Sequence, residues 1–346
     1  MLKKTRLVFS GVVLLVLSLI LSACSNQSSV PSKSQDSSGT NATVMKINVG
    51  YLPDLHGAAP IVIGDQKGYF KNAGLQVNPL KFLTGPQEFQ AMASGNLDIA
   101  YIGPGAFPLV VQGQGKVLTV DSTNEGDVVW ATKKSGIKTL SDLKGKNIAV
   151  TKGSSAEMIL DLALKKVSLK PSDVNLVNMD VAGSVAAFVA NKVDAVATWV
   201  PYTNEIEKQV GTDNIVKLAN DATFEPDHVF PQMWVVRPSF LEKNPEAVNR
   251  FMKAWSQAND YRISHLDEAV QLTSKFTQVP EDSLKVQVKT TNWIESSKLN
   301  SNLTDGTIKK WLGNLENLFI ETGKVKTYVD PDQYLAPAPM AQALKK

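Results

Sequence analysis

The chain has 346 residues, with 36 basic and 33 acidic side chains, 43% apolar residues and one cysteine. Such a charge balance gives nucleic acid no basic face to bind, and a lone cysteine excludes an intrachain disulfide and a thiolate-rich zinc centre. The length allows one large or two medium domains with proper cores.

The first residues carry an address. Lys3, Lys4 and Arg6 precede an apolar run from Leu7 to Leu21 that ends in Leu21-Ser-Ala-Cys24. The run is too short and wrongly flanked for a spanning helix and reads as an export signal, residues 1–23, with Cys24 as the lipid-modified first residue of the mature chain. Its removal takes away three basic groups and leaves the basic side chains equal in number to the 33 acidic ones. Membrane attachment therefore falls to the lipid and not to a polybasic patch. Residues 24–44 are rich in Ser, Asn, Gln and Thr and nearly free of apolar side chains, the composition of a flexible tether. The expected location is extracytoplasmic, lipid-anchored to the cell membrane.

Beyond the tether, strand and helix patterns alternate. Residues 46–51 predict a strand, 58–67 a helix, 75–83 a strand, 86–94 a helix with Pro at its first position, and 98–102 a strand. The order restarts with a strand at 147–150, a helix at 154–167, a strand at 174–181, a helix at 184–190 and a strand at 193–199. Alternation of this kind implies parallel βαβ units. Ala91–Gly105 can also be laid on Ala187–Pro201, so that Gly95 matches Asn191 and Asp98 matches Asp194, which predicts two similar lobes. Residues 126–136 and 230–240 look like extended crossings. Lobe 1 is then expected from 45–133 and 235–346, with lobe 2, residues 134–234, inserted in it. Val248, Phe251, Met252 and Trp255 form an i, i+3, i+4, i+7 stripe that predicts a core-facing helix packed back on lobe 1.

Enzyme signatures are missing: there is no nucleophile elbow, no H-E-x-x-H, no phosphate loop and no dinucleotide fingerprint, and His56, His228 and His265 stand singly. No cofactor and no metal is implied. In open parallel sheets, ligands sit beyond the carboxyl ends of strands, near helix N-termini. That rule selects Leu52, Pro53, His56 and Gly57; Thr84 and Gly85; Gly103 and Pro104; Lys152, Gly153, Ser154 and Ser155; and Gly183 and Ser184. Trp199 and Tyr202 add two rings. These loops are rich in Gly, Ser and Thr, and none holds any of the four arginines, Arg6, Arg237, Arg250 and Arg262. Helix N-termini with small hydroxyl residues favour a small anion. One helix end contributes about 0.3–1 kcal/mol, against about 8 kcal/mol for micromolar binding, so loops from both lobes have to converge. Ser154-Ser-Ala-Glu157 also reads as a capping box, and Asp161 with Lys165 as a helix-supporting pair.

Gly50–Leu75, Ser94–Ala106, Leu140–Leu160, Val193–Tyr202 and Phe240–Trp255, together with the signal and Cys24, resemble the sulfonate, taurine and nitrate type of ABC transporter substrate-binding protein. The resemblance implies a two-lobed, hinge-closing α/β fold of the type II periplasmic-binding class, each lobe a mixed, mostly parallel sheet flanked by helices. It implies a monomer that hands a small anionic ligand, an organosulfonate, to a membrane permease driven by an ATPase. A lipid anchor suits a Gram-positive cell. Alternatives are a binder of nitrate, or of a neutral pyrimidine or aromatic precursor stacked on Tyr51, Trp199 and Tyr202. An amino-acid binder would want an Arg and a carboxylate, of which the loops offer only Asp54. Related pyrimidine-synthesising enzymes carry a Cys-rich motif that this chain lacks.

Overall fold

In the computed structural model, which describes residues 44–225 and 228–345, the parallel strands inside each sheet are largely buried apolar segments such as Ile99–Ile102 and Ala195–Trp199, while the strands at the sheet edges are largely exposed or half-buried. The strands are β1 Met45–Tyr51, β2 Leu75–Lys81, β3 Ile99–Ile102, β4 Lys116–Asn124, β5 Asp127–Thr132, β6 Asn147–Val150, β7 Asn175–Asn178, β8 Ala195–Trp199, β9 Ile215–Asn220, β10 Pro231–Val236 and β11 Thr291–Trp293. They form two sheets, ordered β11-β4-β10-β3-β1-β2 and β7-β6-β8-β5-β9. In the first, β1 runs parallel to β2 and β3, and in the second β6 runs parallel to β7 and β8. Each parallel trio is then joined by one antiparallel strand, β10 or β5, and beyond it by β4 or β9. The two sheets thus repeat one topology, a mixed α/β architecture in which most strands of each sheet share a direction. The export signal, Cys24 and nearly all of the tether lie outside the described residues.

The repeat is visible down to single atoms. Gly95 and Asn191, matched in the sequence, both close a helix in the left-handed region, at φ 78° and 53°. Asp98 accepts the N–H of Asn48 at 2.9 Å, and Asp194 accepts that of Asn147 at 2.9 Å, so each carboxylate ties its strand's entry to the backbone of the parallel strand beside it, β1 or β6.

The crossings fall slightly earlier in the chain than the sequence pattern places them. β5 hydrogen-bonds to β8 and β9, so residues 127–132 belong to the second sheet, while β10 lies between β3 and β4 in the first. All six residues of each strand are buried, and a strand so enclosed needs neighbours at both edges. The chain therefore crosses at residues 125–126 and between β9 and β10. The stripe at Val248, Phe251, Met252 and Trp255 is buried on helix Pro245–Ser264, as expected, in the core that also holds Phe70 and Trp234. Among the described residues, no helix is long and apolar enough to cross a membrane.

Candidate functional site

Between the carboxyl ends of the two sets of parallel strands lies a cleft with a cavity of ≈ 40 Å³. A guest of a few heavy atoms fits this closed shape. From the first sheet come Leu52, Asp54 and His56 after β1, Thr84 and Gly85 after β2, and Gly103 after β3. The second sheet contributes Gly153, Ser154 and Ser155 after β6 and Trp199 at the end of β8. Loops selected from both halves of the sequence do converge on one cavity.

The halves touch at glycines. A Cβ on Gly105 would lie 1.9 Å from the carbonyl carbon of Ser154 and 2.3 Å from the nitrogen of Ser155, closer than any side-chain atom tolerates. A Cβ on Gly153, whose φ is 74°, would lie 2.7 Å from the ring of Pro86. The helix beginning at Ser155 and the helix beginning at Gly85 therefore bring their first turns, and the N–H groups unsatisfied there, to the same space.

Seven of the selected residues lie outside the cavity lining. Asp180 caps its helix by accepting the N–H of Gly183 at 2.7 Å, starting that helix at Val181, three residues before the sequence pattern; Gly183 and Ser184 are drawn into it. Lys152 is exposed, and its N–H donates to Asn178 at 3.1 Å. Pro53 and Pro104 are buried beside the lining residues, and the N–H of Gly57 donates to Asp54 at 2.7 Å. Tyr202 stacks edge-on against Trp199 at 5.4 Å and faces away from the cavity into a groove with Val279 and Pro280. Tyr51 packs on Phe276, 5.1 Å between ring centres, and lies outside the cavity lining.

Hydrogen bonds at the Ser-rich turn differ from a capping box. Ser154 donates to the carbonyl of Thr151 at 2.6 Å, and Glu157 accepts from the N–H of Gly153 at 2.8 Å instead of that of Ser154. Glu157 is held by Lys324 at 2.8 Å, which also takes Asp161 at 2.7 Å; Lys165 pairs with Glu321. The expected Asp161–Lys165 pair is thus replaced by bridges to the C-terminal region. Ser155 donates to Asp127 at 2.5 Å. With Asp127 ionised, both hydroxyls are spent as donors, and what they can offer a guest is lone pairs.

Several lining residues carry no signal in the loop pattern: Leu83, Tyr101, Ala106, Asn124, Gln232 and Gln287. Tyr101 donates to Gln232 at 2.7 Å, and Gln287 accepts the N–H of Leu55 at 2.8 Å across 232 residues. Gln287 sits on a helix whose own pattern is unremarkable, and only the tertiary fold delivers it. The same holds for Arg262, which is fully buried beneath the cleft. It donates to the carbonyl of Leu55 at 2.9 Å and pairs with the buried Asp121, so it anchors the loop after β1 from helix Pro245–Ser264.

The charge beneath and around the cleft is mostly acidic. Burial lifts the carboxyl of Asp54 to about 6, against the pull of His56 and of the N–H groups of Gly57 and His56. Burial lifts Asp127 to about 7, although the Ser155 hydroxyl opposes it, and pushes Asp221 and Glu88 well above the usual carboxylate range. Asp121 differs: burial alone would raise it, but Arg262 and His56 outweigh that and hold it below its ordinary value. His56 is itself engaged, with Nδ1 3.1 Å from Asp121 and Nε2 3.3 Å from Thr291, its ring stacked 4.8 Å from Trp293. Among the described residues, no group of three or more His, Cys, Asp or Glu side chains could hold a metal ion.

Residues 56–269 match the family described as NMT1/THI5 like. The chain belongs to that family. A putative binding protein of Brucella abortus is 35% identical over 291 residues, covering 84% of this chain and 90% of that protein. The taurine-binding periplasmic protein of Escherichia coli is 28% identical over 305 residues, covering 85% of this chain and 92% of its own length. Both are named as binding proteins, not enzymes, in keeping with the missing catalytic signatures. The alkanesulfonate-binding protein SsuA of Xanthomonas axonopodis pv. citri, solved with MOPS bound, superposes with a TM-score of 0.66 over 86% of this chain and 99% of its own, at 20% identity. The fold is that of the periplasmic binding proteins.

Proposed function

We propose that this family member is the extracytoplasmic solute-binding component of an ABC importer, that it takes a small organosulfonate into the cleft, and that it delivers the ligand to a membrane permease coupled to an ATPase. The observation that carries the reading is the meeting of helix first turns from opposite sheets, Gly85 on one side and Gly153–Ser155 on the other, at one small cavity. A sulfonate is ionised at physiological pH and offers three acceptor oxygens, which suit several N–H donors without a dedicated counter-cation. The taurine-binding relative, at 28% identity, supports the ligand class. In this reading the two sheets centre two lobes, Cys24 carries the lipid that keeps the protein at the membrane, and the protein acts as a monomer.

Because guest contacts come from both halves, only a closed form satisfies them all, and the ligand draws the population toward closure. Trp199 lines the cavity and is the reporter. Its fluorescence is expected to change saturably with taurine or an alkanesulfonate; a flat response to taurine, alkanesulfonates and nitrate alike would remove the assignment. The amides of Asn124, Gln232 and Gln287 favour one second reading, a neutral heterocycle held by hydrogen bonds, which native mass spectrometry of protein taken from cells would reveal as a bound mass.

A further inference from the structure

The Ser155 turn of the cleft is joined to a buried pair of carboxyl groups. Ser155 gives its hydroxyl hydrogen to Asp127 Oδ1 at 2.5 Å, and the N–H of Asp127 donates to Asp221 Oδ2 at 2.7 Å. Both aspartates are fully buried, and Asp127 Oδ2 and Asp221 Oδ1 have no hydrogen-bond partner among the described residues. The pair sits where the chain passes between the sheets: Asp127 opens β5 directly after the crossing at residues 125–126, and Asp221 follows β9 at the start of the second crossing. The nearby lysines are engaged elsewhere, Lys324 with Glu157 and Asp161, Lys217 with Glu207 and the Trp130 ring, and Lys166 over the Phe224 ring. Glu125 and Glu225 add negative charge around Asp221, and the N–H of His228 donates to the carbonyl of Phe224 at 3.1 Å. In the cavity itself the titratable lining groups are Asp54, His56 and Tyr101.

Two ionised carboxyl groups do not share such a place, because burial disfavours each charge and each opposes the other. One proton therefore stays with the pair, and burial puts the loss of the second, from Asp127, near neutral pH. Two states of the Ser155 turn follow. With Asp127 ionised, the serine hydroxyl aims its hydrogen at the carboxylate and turns lone pairs to the cavity, with a buried negative charge one hydrogen bond behind them. With Asp127 protonated, the acid O–H donates to Ser155 Oγ, the serine hydrogen is released toward the cavity, and the charge is gone. Only the second state suits an anion beside the first turn of helix Ser155–Lys166.

We propose that the Asp127–Asp221 pair makes anion binding in the cleft proton-linked, with Ser155 as the messenger: Asp127 takes up a proton as the anion enters and gives it back as the anion leaves. The inference rests on the anion reading above and deepens it, because it names what regulates the turn and not which ligand the turn holds.

Calorimetric titration of the purified full chain with ethanesulfonate, whose own charge is constant, at pH 6 and pH 8 in buffers of different ionisation enthalpy, tests it. Binding is expected to be about tenfold weaker at pH 8, with about one proton taken up per ligand there, the linkage of a single site that titrates near neutrality. In Asp127→Asn, whose amide donates to Ser155 at any pH, affinity is expected to be equal at the two pH values and to match that of the native protein at pH 6. Ser155→Ala, which lacks the messenger, is expected to take up less than half the native number of protons, and it reads the same link where the first variant fails to fold. Binding to the native protein that is independent of pH overturns the role of the pair while the anion reading stands. So does an undiminished pH dependence in either variant, which would place the proton on Asp54 or His228. If ethanesulfonate, taurine and nitrate all fail to bind at both pH values, both readings fall.

Discussion

Replacing Gly105 by alanine is expected to hold the two halves apart. The three atoms nearest to an added Cβ, at 1.9, 2.1 and 2.3 Å, all belong to the backbone of Ser154 and Ser155 in the opposite half, so the collision exists only in the closed shape. Ordinary carbon contacts begin near 3.4 Å, and the helix start would have to retreat by more than an ångström. Gly105 sits in a short helical turn, Pro104–Ala106, with no left-handed backbone to defend, which leaves its own half unstrained by a methyl group. Forcing an extra methyl into a packed contact costs about 1–3 kcal/mol. Since that cost applies to the closed form alone, it translates into about 5- to 150-fold weaker ligand binding. The measurement is a Trp199 fluorescence titration of Gly105→Ala with taurine, set beside thermal unfolding of the ligand-free protein and small-angle scattering at saturation. Weaker binding, an unchanged ligand-free melting temperature and a larger radius at saturation are expected. Native affinity together with native compactness in the variant would refute the argument that these backbones meet in the bound state.

Two further outcomes follow from the buried charges. Asp127 is fully buried with its carboxyl lifted to about 7, so the folded chain keeps a proton that the unfolded chain, at about 4, gives up. Its contribution to stability is fully present below the unfolded value and is lost as pH rises through the folded one. Asp127→Asn removes the loss, and its stability relative to the native protein is expected to rise by about 2–3 kcal/mol between pH 5 and pH 8 in urea unfolding; a gap that stays constant across that range contradicts the assignment. Arg262→Met leaves the buried Asp121 facing only His56 and frees the loop at Leu55, and is expected to cost about 3–5 kcal/mol in the same assay; a loss under 1 kcal/mol would show that the pair contributes little.

How far the sequence discloses this molecule depends on how local each feature is. Strand and helix order was legible because apolar periodicity is local, and the repeat was legible because Gly95 and Asn191, with Asp98 and Asp194, perform the same two tasks in each half. The loops carrying Thr84, Gly85 and Gly153–Ser155 were legible from the rule that ligands gather beyond parallel strand ends. Gln287, Asn124 and Arg262 were not, because each reaches the cleft or its floor across long stretches of chain on an element with another evident purpose. The hydroxyl directions at Ser154 and Ser155 were hidden for a different reason. A serine at a helix start predicts a cap, and only the nearby Thr151 carbonyl and Asp127 carboxylate show that the hydrogen goes elsewhere. Sequence therefore located turns that line the cavity but gave them too many donors.

That imbalance bears on what closes the cleft. Helices of the second half meet those of the C-terminal region through Lys324 to Glu157 and Asp161, Lys165 to Glu321, Lys208 to Asp282 and Asn204 to Ser283. The Lys165 and Lys208 pairs are about half exposed on both partners, and such pairs contribute about 0.2–1 kcal/mol each while ordering long side chains. Against them stand Asp54, Asp127, Asp221 and Glu88, buried carboxyl groups whose ionisation burial opposes. A surface bridge is as available to an empty protein as to a filled one, so it cannot make closure depend on ligand. A guest that touches Thr84 and Gly85 on one side and the helix turn at Ser155 on the other is held only between the halves. It lowers the free energy of the closed form alone, which is the condition for the ligand, and not the surface, to decide when the cleft shuts.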